Sequence, residues 1–316
     1  MYSAGDVSII IPTYNREEDL RITIINGIPF LKQIRELIIV DQSANNRIKK
    51  FIFSIRNKKI KYHHRKTPSL TAARNFGIGK AKGEIVLFLD DDVTLDKNYL
   101  ENILEVFNCY NGALGVAGFQ NNSGKKGAEH LARKLFLLEN SGINNADVKS
   151  AYGAIYPSVL NKIIKAMWLT GYNMAYKKEV FRGFRFDENL SRYALAEDFD
   201  FSYRIWKKNP GSLFMTPRAG IVHRFSSVGR EPTKKAAYMN QINHFYLNYK
   251  NFNSNVKEKI IFIWNLIGLS MVKIANFLFS RKKEEALKMK FFFLSLIYCM
   301  RNKRKIKNGN LSEIYL

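Results

Sequence analysis

Cysteine is nearly absent: Cys109 and Cys299 are the only two in 316 residues, and they stand far apart. Such a pair offers no disulfide framework and no metal-type spacing, so a reducing, cytoplasmic compartment is the default expectation. Acidic residues are scarce as well. Asp and Glu number 27 against 51 Lys and Arg, a formal net charge of +24. That balance favours anionic partners: nucleic acid, acidic lipid headgroups or phosphorylated substrates. Glycine fingerprints are missing too. No G-x-G-x-x-G follows the first apolar run and no Walker lysine loop occurs, which makes a dinucleotide fold or a P-loop enzyme a poor reading. There are no repeats and no low-complexity linkers. Met1 to Asp6 carries no basic residue and the apolar run behind it is cut by Pro12, so a signal peptide is not expected. What is present is apolar: 46% hydrophobic and 13% aromatic residues, enough for one large core or two modest ones.

The organising stretch is Glu84 to Asp92, Glu-Ile-Val-Leu-Phe-Leu-Asp-Asp-Asp. Its apolar run, β-branched at the start, predicts a strand buried on both faces. Three carboxylates then follow at the C-terminal end. Like charges so close repel, at a cost in free energy unless a cation or polar ligand sits among them. In an open α/β sheet ligands bind at that end of a strand, whereas an isolated acidic triplet is as readily a solvated turn.

The flanking chain decides between the two. Val7 to Ile11 is a short strand that Pro12 ends. Asn15, with Glu18 three residues on, has the pattern of a capping box for a helix bearing Leu20, Ile24 and Ile25, with Gly27 as its stop. Leu37 to Val40 is a second strand, ending on Asp41. Arg47 to Lys58 has helical spacing, Ile60 to Tyr62 reads as a strand, and Thr67 to Lys82 as a small-residue helix carrying Arg74 and Asn75. Alternating strands and helices predict a doubly wound parallel sheet, because crossovers are right-handed. Thr13, Tyr14, Asp41 and Asp90 to Asp92 then share one edge, a nucleotide-sized site. With no glycine loop for phosphates, a divalent Mg²⁺ or Mn²⁺ on the Asp cluster is the natural neutralising group.

Three segments carry a resemblance: Val7-Ser-Ile-Ile-Ile-Pro-Thr-Tyr-Asn15, Ala72-Ala-Arg-Asn-Phe-Gly77 and Gly83 to Asp92. In this order and spacing they resemble the family 2 glycosyltransferases, from residue 7 to about residue 230. The resemblance implies a GT-A fold, a Rossmann-like α/β architecture with a mostly parallel central sheet flanked by helices, here with a C-terminal helical extension. With it the chain divides into a nucleotide-sugar-binding half (1–115) and an acceptor and catalytic half (116–235), while the change in residue character beyond them marks a basic amphipathic helical region (236–316). It also implies a site. Pro12, Thr13, Tyr14, Arg16, Asp41, Arg74, Asp90 and Asp91 would bind the nucleotide sugar, Asp41 reading the base edge and Asp90 facing the ribose. Asp92 would hold the metal. Related enzymes often carry a second acidic residue beside the base-reading Asp; this chain has Gln42 there.

Further on, Tyr99 to Phe107 and Glu129 to Glu139 read as helices, Leu114 to Phe119 as a strand, and 140–158 as a polar, flap-like segment. After Trp168-Leu-Thr-Gly-Tyr-Asn-Met-Ala-Tyr176, Glu197 and Asp198 open a helix through Phe199, Tyr203 and Trp206, with Lys207 and Lys208 in its last turn and Pro210-Gly211 as the stop. By itself an acidic helix start is a favourable pairing with the macrodipole. The resemblance makes it the acceptor side, with Asp198 as general base and Glu197 beside it. His223 alone reads as an ordinary core histidine. The resemblance places it near the diphosphate and metal, with Arg224 and Arg230 close by to hold phosphate oxygens.

In the tail, Ile260 to Phe279 is mostly apolar, yet Asn265, Lys273, Asn276 and Ser280 fall along one helical stripe. That is amphipathic rather than spanning, since a lysine at mid-bilayer costs about 2.5–3.5 kcal/mol on insertion scales. Phe291 to Met300 is too short to span. Basic clusters at Arg281 to Lys283, Lys288, Lys290 and Arg301 to Lys307 flank both runs. They describe interfacial helices on an anionic membrane surface; a helical pair packed on the catalytic domain fits equally well.

The expectation is an inverting, metal-dependent glycosyltransferase. It would move a sugar from a nucleotide-diphosphate donor to a lipid-linked or polysaccharide acceptor in cell-surface polysaccharide or glycolipid synthesis. It would be cytoplasmic and peripheral on the inner face of the plasma membrane. A sugar nucleotidyltransferase would want a glycine-rich, Lys/Arg-bearing loop after the first strand, and Pro12 to Arg16 is not that. A non-catalytic basic binder explains the charge but neither the Asp triplet nor the Glu-Asp pair, so nucleic acid is not an expected partner.

Overall fold

The computed structural model describes residues 1–120, 128–138, 143–226, 233–252 and 255–311. Arg230, a sequence candidate for phosphate contact, lies outside them, as does residue 139. Four strands open the chain, β1 (Val7–Thr13), β2 (Glu36–Asp41), β3 (Ile60–His64) and β4 (Ile85–Leu89), alternating with α1 (Glu17–Ile22), α2 (Arg47–Ser54) and α3 (Leu70–Lys80). Then come β5 (Val93–Leu95), α4 (Tyr99–Cys109), β6 (Gly115–Phe119), α5 (Ala128–Leu135), β7 (Ile164–Ala166), β8 (Asn173–Lys177), α6 (Glu197–Lys208) and β9 (Leu213–His223). The chain continues in α7 (Thr233–Asn251), α8 (Val256–Ser280), α9 (Lys283–Arg301) and α10 (Lys303–Lys307).

The strands form one sheet in the order β3-β2-β1-β4-β8-β6-β9-β5, with β7 also on β9. β1 to β4, β6 and β9 run one way; β5, β7 and β8 run the other. β4 sits between β1 and β8 and every residue in it is fully buried. Side chains alternate along a strand, so Ile85, Leu87 and Leu89 enter one core while Phe88 meets Phe181 and Phe186. Each such side chain stabilises the fold by about 1.5–3 kcal/mol.

Several boundaries differ from the sequence expectation for local reasons. β1 runs through Pro12 to Thr13, because its pairing with β4 stops at Ile10 and only β2 remains beside it. Proline, lacking an N–H, is tolerated where one side of a strand is free. Asn15 does not cap α1. Its backbone is left-handed (φ 56°) and its N–H donates to Ser43 Oγ at 2.8 Å; α1 starts at Glu17 with no side-chain cap. α2 stops at Ser54, two residues before left-handed Arg56, and α5 at Leu135, before left-handed Leu137. Gly27 does end its helical segment, and a Cβ there would lie 2.5 Å from the Val93 carbonyl oxygen.

The described chain forms two compact units that interleave in sequence. The first comprises Met1–Asn121, Leu160–Glu188 and Glu197–Arg230; the second, Asn122–Val159, Asn189–Ala196 and Glu231–Leu316. The first unit holds the sheet and the expected site. Residues 122–159, read from sequence with the acceptor half, belong with the C-terminal helices in the second. There α7 packs on α9 and α10, and α8 on α9 and α5. Residues 143–159 are irregular, yet Ala146, Val148, Ala151 and Ile155 are buried.

Candidate active site

The C-terminal ends of β1, β2 and β4 deliver the expected residues to one edge, with Thr13 in register with Asp41. Asp41 is fully buried. Its Oδ1 accepts the Ser43 N–H and its Oδ2 the Tyr62 hydroxyl, both at 2.8 Å. Burial and then the Asp41 carboxylate hold the Tyr62 proton far more tightly than in a free tyrosine. Gln42 turns its amide into the protein, donating to the Thr67 and Ser69 carbonyls. Pro12 is buried, whereas Tyr14 is 40% exposed.

The three aspartates after β4 have three environments. The side chain of Asp90 is 32% exposed and accepts from Arg74 Nη2 at 3.3 Å. Asp91 points back into the protein, accepting the Thr13 hydroxyl at 2.7 Å and Arg16 Nη1 at 3.0 Å. Burial pushes its pKa up to about 7, against the pull of Arg16 and Thr13. Thr13, Arg16 and Asp91, all expected against the donor, thus engage one another. Asp92 is fully buried, with Oδ2 accepting the Ser226 N–H at 2.9 Å and Oδ1 lying 2.9 Å from His223 Nε2. Burial would raise its pKa, but His223, the Ser226 N–H and Arg16 together hold it below the usual carboxylate range.

Asp90, Asp92 and His223 each bring one ligand atom within 4.8 Å of the others. Carboxylates with an imidazole suit Mn²⁺, and the carboxylates alone suit Mg²⁺. Asp92 Oδ1 is buried and faces His223 Nε2 at 2.9 Å, so a cation there would take both atoms as ligands. His223 is placed by the pairing of β5 with β9, opposite Val93, and its ring packs on Tyr172 and Phe225. Arg224 departs from its expected role on phosphate. Its Nη atoms donate to the carbonyls of Val93 and Asp19 and the hydroxyls of Thr94 and Thr23, clamping β5 against α1 and the turn after it.

On the acceptor side, the first turn of α6 presents Glu197 and Asp198. Arg74, 1% exposed, donates Nη1 to Glu197 Oε1 and Nη2 to the Gly171 carbonyl at 3.0 Å, besides Asp90. Burial opposes its charge, but Glu197, Asp90 and Asp198 outweigh burial and keep it protonated. Burial and the neighbouring Asp198 push Glu197 up to about 8 despite Arg74. Asp198 Oδ2 accepts the Gly171 N–H at 2.7 Å and Oδ1 the Phe199 N–H at 2.8 Å; burial still raises its pKa.

Sequence reasoning missed the parts that act through the backbone. A Cβ on Gly171 would lie 3.0–3.1 Å from Arg74 Nη2, Asp198 Cβ and Glu197 Oε1, so the close approach calls for glycine. Its only signal was its place in Gly-Tyr-Asn. Ser226 enters through its N–H, Gln120 by accepting the His223 N–H at 2.9 Å, and β5 is too short to show a period.

Comparison with known proteins bears directly on this arrangement. The model of Glycosyl transferase family 2 matches residues 8–183, more than half of the chain. The chain belongs to glycosyl transferase family 2. It is 32% identical over 156 residues to the poly(ribitol-phosphate) beta-N-acetylglucosaminyltransferase TarP of Staphylococcus aureus (strain N315), covering 45% of this chain and 43% of TarP. The chain therefore spans less than half of that relative's length. Among solved structures, S. aureus TarS 1–349 superposes with TM-score 0.53 at 16% identity over 98% of this chain and 91% of that one. GalNAc-T7 with UDP, GalNAc and Mn²⁺ superposes with TM-score 0.55 at 16% identity over 82% and 53%. At such identity these matches establish the fold, which is GT-A.

Proposed function

We propose that this family 2 glycosyltransferase moves a sugar, with inversion, from a nucleoside-diphosphate donor to an acceptor hydroxyl. One observation carries the reading. Arg74 is bonded both to Asp90, among the metal-type ligands, and to Glu197, beside Asp198, so the donor and acceptor carboxylates belong to one site. Tyr14 offers an exposed ring just past the end of β1 for a base, with Pro12 and Asp41 as its other expected neighbours, Asp41 held in place by Ser43 and Tyr62. Asp90, the most exposed of the triplet, faces the ribose. Thr13, Arg16 and Asp91 form a brace that holds the loop bearing Asp92.

Asp92 and His223, with Asp90, suit Mn²⁺ or Mg²⁺, whose charge would stabilise the departing diphosphate. The presence of UDP and Mn²⁺ in the GalNAc-T7 structure supports that reading. Asp198 is held by two backbone N–H groups while burial raises its proton affinity, the setting a general base needs. It takes the acceptor's hydroxyl proton as the oxygen bonds to the anomeric carbon and the bond from that carbon to the diphosphate oxygen breaks. Glu197 and Arg74 keep it aimed.

The acceptor is a cell-surface polymer or its lipid-linked precursor, a reading that the name of TarP supports. The net charge of +24 and the basic tail support a peripheral place on an anionic membrane at its cytoplasmic face. A thermal-shift panel of UDP-, GDP-, dTDP- and CDP-sugars with Mn²⁺ or EDTA tests the core of the proposal. A ligand specific for the folded state raises stability by about 2.7 kcal/mol at a hundred times its Kd. One base should stand out and its shift should need the metal. No shift from any donor would overturn the reading.

A further inference from the structure

We infer that α8 is an in-plane membrane anchor whose outward stripe enters the headgroup–acyl boundary of an anionic bilayer without crossing it. This deepens the membrane partner proposed above and rests on that reading.

α8 is inside out. Asn265, which a soluble helix would turn to water, is fully buried. Its amide donates to the Phe136 carbonyl at 2.6 Å and its oxygen accepts the Ser150 hydroxyl. Gly268 lies on the same face, where a Cβ would overlap the Phe136 side chain. Ser270 satisfies its hydroxyl on the Leu266 carbonyl of its own helix. On the other face, Ile260, Ile263, Ile267, Met271, Ile274 and Leu278 are each 41–60% exposed. They recur in steps of three and four, one continuous helical stripe. Trp264, tethered by its Nε1–H to the Leu135 carbonyl, extends the stripe toward Leu131 and Leu135 of α5, both exposed. An apolar face of this extent marks a partner or a membrane.

At 25 residues, or about 37 Å at 1.5 Å per residue, α8 is long enough to cross a bilayer. Its inner face forbids it. Phe136 and Ser150 belong to segments outside regular helix and strand, and crossing would carry irregular backbone to the depth of the lipid tails, where exposed backbone polar groups are not tolerated. The helix therefore lies along the surface, with protein on one side and lipid on the other.

Charge selects lipid over a second copy of the chain. Exposed Lys257 and Lys259, with half-buried Glu258 between them, precede the stripe and leave that end net positive, and exposed Arg281, Lys282 and Lys283 follow it. The acids just beyond, Glu284 and Glu285, are paired with Lys288. Two copies meeting through this stripe, parallel or antiparallel, would set basic end against basic end. An anionic leaflet neutralises both ends while the acyl boundary buries the stripe between them.

The test is co-sedimentation of the full chain with phosphatidylglycerol or phosphatidylcholine vesicles. It compares wild type, Ile267→Asp/Met271→Asp and Arg281→Gln/Lys282→Gln/Lys283→Gln, with melting curves and sedimentation velocity alongside. All five positions are exposed, so the fold should survive, and the basic variant tests the surface even if the apolar one misfolds. Wild type should bind phosphatidylglycerol vesicles in a salt-sensitive way, with a blue shift in emission that Trp264→Phe removes, and alkaline carbonate should strip it. The basic variant should bind about a hundredfold more weakly, roughly fivefold per charge. The double Asp variant should lose binding while keeping its melting point and its donor-induced shift. Wild-type binding matched by both variants would overturn the α8 surface and leave the membrane reading standing. Failure of wild type to bind any vesicle would overturn both. A wild-type dimer dissolved by the double variant, without vesicle binding, would give the stripe to a second copy. Resistance to carbonate would overturn the in-plane geometry.

Discussion

The two units break the inside–outside rule in opposite directions. In the first, charge is inside: Asp41 and Asp92 are fully buried, and Arg74, Asp91 and Glu197 nearly so. In the second, Asn265 is inside and a row of large apolar side chains is outside. A scattered exposed leucine carries no information, but buried charge and a contiguous apolar face do. Taking an ion out of water costs several kcal/mol unless partners replace the solvent, and in the first unit they do. Backbone N–H groups, Arg74 and His223 surround the carboxylates in an arrangement suited to a cation and a transferring group. Along α8 no described residue covers the stripe, which suits a fluid partner. One exception gathers charge inside; the other leaves apolar surface outside.

That contrast can be broken from either side. Asp92→Ala should have the largest effect, abolishing transfer and removing the Mn²⁺-dependent part of the donor thermal shift. The fold should hold, because the residue lies beyond β4; an unchanged metal dependence would remove Asp92 from the cation site. Asp198→Asn keeps the size of the side chain but cannot take a proton near neutral pH. It should lower kcat by about 10²–10⁴-fold with donor affinity nearly constant, and Glu197→Gln should be milder in steady-state kinetics. If Glu197→Gln is the more damaging, the roles of the pair must be exchanged.

The two faces of α8 give the third contrast. Gly268→Val, on the inner face against Phe136, should cost about 1–3 kcal/mol in urea unfolding, as overpacking does. Ile267→Ala, one residue away on the outer face, should stay within about 0.5 kcal/mol. Equal costs would mean that both faces are packed.

The last effect is spread over a range of pH. Glu197 has its pKa raised from 4.5 to about 8, so it binds a proton more tightly folded than unfolded. Its contribution to stability is full below about pH 4.5 and is lost as the pH rises through about 8. Without donor or metal, the free energy of unfolding should decline across that window, by at most about 1.4 kcal/mol per pH unit for one group. Glu197→Gln should flatten the decline; an identical slope would assign it to another group.

Much of this was legible before the structure. A strand buried on both faces cannot hide its identity, and the apolar run of β4 announced a central position that the sheet bears out. Acidic residues at successive strand ends announced an edge site, because parallel topology sends like ends to one side. The helix opened by Glu197 and closed by Pro210-Gly211 runs where its end signals placed it. Less visible were the elements that depend on distant partners: β5 with its three residues, β7, and the left-handed backbone at Asn15 that replaces a cap.

By itself, then, the sequence determined the doubly wound start of the chain, the edge on which its carboxylates gather, and the existence of an apolar, basic-flanked tail. These follow from local pattern: period, strand-end chemistry and charge along the chain. Tertiary structure alone decided how the environments of the three aspartates differ, since Asp90, Asp91 and Asp92 are chemically identical and differ only in which neighbours reach them. It also decided that Arg74 joins Asp90 to Glu197, more than a hundred residues apart, and which face of α8 is turned outward. Periodicity can show that a helix has two faces, but only the packing of Phe136 and Ser150 around Asn265 determines which of them is inside.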